Sequence, residues 1–145
     1  MKRIFAIMTA VVLTGSFVIA SQVPASASPR SGALHVTKEC SQYTGAVGSF
    51  CTITGSNLKS IKAGSKVVYA TALNADGTLV SDITVYTGHN KIYGHVSLTG
   101  AGMWMTLSGG TGKFRHFTAS AVVSVDSTGL WHWDGTYSFG HQHDD

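Results

Sequence analysis

Residues 108–117 read SGGTGKFRHF, with Gly109, Gly110 and Gly112 followed at once by Lys113. Glycines before a lysine invite a phosphate-loop reading, and the neighbouring residues decide against it. The loop pattern G-x-x-x-x-G-K-[ST], ending on Gly112-Lys113, needs glycine at 107 and a hydroxyl at 114. Leu107 and Phe114 stand there. The dinucleotide pattern G-x-G-x-x-G, begun at Gly110, needs a third glycine where the chain has Arg115. Both motifs must also open a helix. Here Phe117, Ala119, Ala121, Val123 and Val125 alternate with Thr118, Ser120, Ser124 and Asp126. That is the period-two signature of a strand. The segment is therefore a turn between two strands.

Working outward, the same alternation and turn punctuation recur on both sides. Strand segments are predicted at 33–38, 49–54, 66–73 (KVVYATAL), 78–86, 91–99, 103–107, 117–125 and 130–139. Asn74-Ala75-Asp76-Gly77 and Gly88-His89-Asn90 read as hairpin turns. Eight strands on short sequential connections predict an all-β fold, an eight-stranded antiparallel up-and-down β-barrel. A Greek-key sandwich would need longer crossovers. Closure also removes exposed strand edges. The longest loops are 41–48 and 55–65, and the polar second one is expected to arch flexibly over a barrel mouth.

The N-terminus has a different character. Lys2 and Arg3 precede an apolar, uncharged run at 4–20, and Ala25-Ser26-Ala27 supplies a small-x-small exit. This predicts a signal peptide over 1–27, cut after Ala27 to leave one barrel domain over 28–140 and a secreted, extracellular product. The rival, an uncleaved membrane anchor, fits the short run less well. Loss of Lys2 and Arg3 from the ten cations leaves eight against seven carboxylates. With no cluster of Lys and Arg interleaved with aromatics, nucleic acid is not an expected partner. After cleavage the membrane is not one either. Export implies an oxidising compartment, so Cys40 and Cys51 are expected to form a disulfide. Their spacing matches neither a zinc pattern nor a redox CxxC.

Gly109-Gly110-Thr111-Gly112-Lys113-Phe114 resembles the G-G-T-G-x-F segment shared by allene oxide cyclases and dirigent proteins, and Arg115 follows as it often does in dirigent proteins. The likeness is loose over 33–140, through strand number, strand spacing and the closing aromatic segment WHWDGTYSF (131–139), and sharp over six or seven residues. The resemblance implies an allene oxide cyclase-like barrel, an interior ligand, a cofactor-free isomerase or cyclase activity and a dimer or trimer. It also implies a tight turn between strands six and seven, with Phe114 anchored beneath the barrel. The catalytic sets do not carry over. Where dirigent proteins continue into A-R-G, this chain has Phe117-Thr118-Ala119. The glutamate and proline loop of plant allene oxide cyclases have no counterpart, because past residue 27 the chain has only Glu39 and Pro29.

The last strand places Trp131, Trp133, Tyr137 and Phe139 on one face. Turned inward, the candidate ligand residues Trp131, Trp133 and Tyr137 would line an apolar pocket with Tyr69 and Met105; alternatively the rings simply fill the core. Asp82, Tyr86, Tyr93, His95, His132 and Asp134 occupy the opposite faces of their strands. His132, Asp134 and His95 are the candidates for acid–base work. The alternative is that this polar side is the solvated exterior, since a one-residue register slip exchanges the faces. The tail HQHDD (141–145) has metal-ligand residue types but no rigid scaffold, so a disordered tail is expected and no metal or cofactor. No G-x-S-x-G occurs. Three readings remain: a barrel that binds a small, largely apolar ligand, with cofactor-free isomerase or cyclase activity as an extension; a non-catalytic module recognising protein or glycan through loops 41–48 and 55–65; or a plain structural barrel with no pocket.

Overall fold

The computed structural model describes residues 30–140, so the signal peptide expected at 1–27 and the tail expected to be disordered at 141–145 lie outside the described residues. Eight strands follow in chain order: β1 Ser31–Glu39, β2 Phe50–Ser56, β3 Lys66–Tyr69, β4 Leu79–Thr87, β5 Asn90–Thr99, β6 Gly102–Gly110, β7 Thr118–Val125 and β8 Trp131–Ser138. Each pairs antiparallel with the next, and β1 closes on β8 from Ser31↔Ser138 to Lys38↔Trp131. The result is the closed up-and-down barrel that the alternation predicts. Among the described residues, no helix is long and apolar enough to cross a membrane.

Alternation decides what fills the interior. In β4, Leu79, Ser81, Ile83, Val85 and Thr87 are buried while Val80, Asp82 and Tyr86 are exposed. Ala119 and Ala121 of β7 lie in register with Tyr137 and Gly135 of β8, and Val123 with Trp133. Small inward side chains beside large ones let the barrel close without overfilling.

An even number of antiparallel strands sorts the connections onto two ends. One end carries the β2–β3, β4–β5 and β6–β7 connections together with both ends of the barrel chain, where Phe139 N–H donates to Arg30 O at 2.7 Å. That end is stoppered. After Gly110 the chain makes a 3-10 turn at Gly112–Phe114, with Phe114 and Phe117 fully buried. Their rings pack at 5.4 Å between centroids, and Phe117 lies 4.9 Å from Phe139 and 6.2 Å from Tyr137. Backbone bonds pin the turn: Gly109 N–H to Phe117 O at 2.7 Å and Thr111 N–H to Lys91 O at 2.9 Å. A Cβ on Gly110 would strike Lys91 O, and Gly112 holds φ +56. The glycines of the opening motif are thus required by close approach and by a left-handed turn.

Two expectations need correction. Loop 55–65 is not a flexible arch: Leu58 and Ile61 are buried and complete the stopper. Its backbone is tied down by Gly64 N–H to Ile53 O at 2.7 Å and Lys62 N–H to Thr87 Oγ1 at 3.0 Å. The third strand ends at Tyr69 rather than at 73, because the Ser81 hydroxyl accepts from Thr71 N–H at 3.0 Å and draws the chain out of the ladder. Leu73 N–H then bonds Gly45 O, joining the β3–β4 connection to the β1–β2 connection.

Candidate functional site

The other end, carrying the β1–β2, β3–β4, β5–β6 and β7–β8 connections, is open. It holds a cavity of about 440 Å3 whose walls include Tyr43, Tyr69, Leu79, Leu98, Met103 and Trp131, with the Cys40–Cys51 disulfide in the wall and Asp76 at the rim. The disulfide joins the end of β1 to the start of β2, as the export argument predicts.

The cavity converges on Lys38. Alternation in β1 sends Leu34 and Val36 inward, and the same period carries Lys38 in after them. Its side chain is only 2% exposed, at a position where a core residue would be ordinary. The register against β2 shifts between Thr37 and Lys38, a bulge that re-aims the strand end beside the cavity. Lys38 Nζ donates to Tyr69 Oη at 2.7 Å and lies 3.8 Å from Cys40 Sγ. It sits over the rings of Trp131 at 5.1 Å, Tyr69 at 5.4 Å and Trp133 at 5.7 Å.

Among the described residues no carboxylate comes within salt-bridge distance of this amine. Burial therefore pushes the Lys38 amine down to about 7. The ring faces favour the ammonium by about 0.5–2 kcal/mol each, a smaller effect than loss of water. Burial, with the nearby Tyr43, holds the Tyr69 hydroxyl well above the usual phenol range. Tyr43 packs edge-on against Tyr69 at 5.2 Å. Near neutrality a substantial fraction of the amine has a free lone pair, hydrogen-bonded to a phenol that keeps its proton. Such a pair can bind a carbonyl or hydroxyl oxygen, accept a proton, or attack an electrophile.

The predicted ligand residues divide. Tyr69 and Trp131 line the cavity. Met105 and Trp133 are buried in the barrel core, and Tyr137 belongs to the ring cluster at the stopper. The structure thus uses part of the aromatic face for a pocket and part as filling. Lys38 is the residue that sequence reasoning missed, although extending the Leu34–Val36 alternation by two positions reaches it.

His95, His132 and Asp134 face outward, each in a different pair. His35 Nδ1 and Asp134 Oδ1 lie 2.8 Å apart across β1 and β8, and His95 Nδ1 and Asp82 Oδ1 lie 2.9 Å apart across β4 and β5. His132 Nε2 lies 2.8 Å from Asp126 Oδ2, and this contact, with Thr128, holds the Asp126 carboxyl well below the usual range. All three pairs are solvent-facing, and none shares the cavity with Lys38. Tyr86 and Tyr93 are likewise exposed. Loops 41–48 and 55–65 fall at opposite ends of the barrel, so they form no common surface. Comparison of the chain with protein-family models, with characterised proteins and with solved structures gives no match.

Proposed function

We propose that this is a secreted barrel protein that binds a small, largely apolar molecule by its polar end in the open mouth. The observation that carries the reading is the 440 Å3 cavity, walled by rings and aliphatic chains, with Lys38 and Tyr69 as a buried polar pair. Cavities of roughly 300–1,000 Å3 with mostly apolar walls and few convergent polar groups are the usual form of small-molecule sites. The charged start and small-residue exit of residues 1–27 support secretion, as does the disulfide. The closed eight-stranded order is the one that the resemblance to allene oxide cyclase-like barrels implies. An amine and a phenol facing one ligand are also the base and acid that a cofactor-free isomerisation requires.

Trp131 provides the test. Titration with medium-chain alcohols, phenols and fatty acids is expected to change tryptophan emission saturably, with Trp131→Phe removing most of the response. Met103→Trp, which adds a ring to the cavity wall, should weaken binding at least about tenfold. Absence of any saturable response across all three ligand classes counts against the reading.

A further inference from the structure

We propose that Lys38 is a nucleophile that captures an apolar aldehyde as an imine, with Tyr69 moving the protons. The proposal rests on the binding reading above and names the ligand's reactive group. Its basis is the geometry: the amine is buried beside a cavity of ligand size and hydrogen-bonded at 2.7 Å to a phenol. Among the described residues, no carboxylate fixes it as an ammonium counter-ion. A buried lysine without a carboxylate is a costly feature for a core that needed only an apolar side chain there. Desolvation in an apolar pocket is also the usual way a lysine becomes a nucleophile near neutral pH. The groups facing it from the surrounding elements are Tyr69 at the end of β3, Tyr43 in the β1–β2 connection and Asp76 at the rim. Neither phenol is charged near neutrality, and the ionised Asp76 at the exposed rim makes no salt bridge with the amine, so no contacting counter-charge holds it protonated.

The step balances without a co-reactant. The Nζ lone pair attacks the aldehyde carbon, forming the C–N bond as the C=O π pair moves onto oxygen. That oxygen takes the Tyr69 proton, and the attached nitrogen returns one to the phenolate, leaving a neutral carbinolamine. The nitrogen lone pair then expels the hydroxyl, which leaves as water with the Tyr69 proton. The imine nitrogen gives its remaining proton back to Tyr69. The sum is aldehyde plus amine to imine plus one water, with nothing oxidised or reduced. The apolar walls slow the reverse hydrolysis by limiting water at the C=N bond.

Octanal and octanol, which differ at one carbon, separate this proposal from simple binding. The full chain is incubated with octanal and cyanoborohydride at pH 7, then digested and mapped by mass spectrometry. An octyl group is expected on Lys38 at least about tenfold faster than on the exposed Lys59, Lys62, Lys66, Lys91 or Lys113. Tyr69→Phe should slow Lys38 labelling, and Lys38→Met should abolish cavity labelling while the exposed lysines keep their slow background rate. Even labelling of the surface lysines, with octanol still bound, overturns the proposal and leaves the binding reading standing. If neither octanol nor octanal is held, both fail.

Discussion

Lys38 is a conflict between local environment and charge, and it has a thermodynamic signature. The folded amine titrates near 7, whereas an unfolded lysine titrates at about 10.4. Between those values the unfolded chain binds more protons than the folded one, so this residue makes stability rise with pH across the window. Below pH 7 both states carry the charge and the folded protein bears the full cost of burying it, on the order of a few kcal/mol. Above about pH 10.4 that cost has vanished. Lys38→Met is therefore expected to raise the thermal midpoint at pH 5. The gain should shrink through neutrality and reverse slightly near pH 10, where only the lost Tyr69 hydrogen bond, about 1 kcal/mol, is felt. Melting curves of both proteins at pH 5, 7 and 10 check this, and a difference constant with pH would refute it. Lys38 is hard to read from sequence because lysine is the residue type that most often marks a solvated position. Its period with Leu34 and Val36 was the available signal, outweighed by its chemistry. The histidines show the converse. Their positions opposite apolar residues were legible, but the partners were not: Asp134 pairs with His35, ninety-nine residues away, through the β1–β8 closure.

At the scale of the element, the glycine turn and its two phenylalanines act as a single plug. Phe114→Ala and Phe117→Ala should each cost about 3–5 kcal/mol in chemical denaturation, because each ring is wholly buried among other rings. Gly112→Ala should cost roughly 1–3 kcal/mol, since its φ of +56 disfavours a side chain and the new Cβ would sit 2.5 Å from Asn90 Oδ1. These changes lie at the end opposite the cavity. Octanol affinity should therefore survive in any of the three that remains folded, and a parallel loss of affinity would show that the two ends are coupled. The strands on either side of this turn are legible because period-two patterning is a local property of the chain. The fate of loop 55–65 is not local. Leu58 and Ile61 are isolated apolar residues in GSNLKSIKAGS, and only the neighbouring strand ends show that they have an interior to enter.

At the scale of the whole molecule, closure is what makes a cavity out of eight short strands. Turn lengths predict it, but the division into one filled end and one open end depends on which connections carry buried rings. Sequence order alone does not weigh that. The Cys40–Cys51 link lies in the wall of the open end, so it braces the mouth as well as the fold. The double variant Cys40→Ser, Cys51→Ser should lose about 3 kcal/mol in urea or guanidinium unfolding. It should also bind octanol more weakly than the intact protein under conditions where both are folded. Equal affinity in the two would limit the bridge to stability alone. The parity of the barrel sets one more property. Arg30 and Phe139 meet beneath the stoppered end, so a tether attached at Arg30 or Gly140 leaves the barrel on the side away from the cavity. Immobilised on a bead or fused to a second domain, the protein would hold its mouth toward the solution, and a short linker joining 140 to 30 would free any open-end loop to become the new chain start.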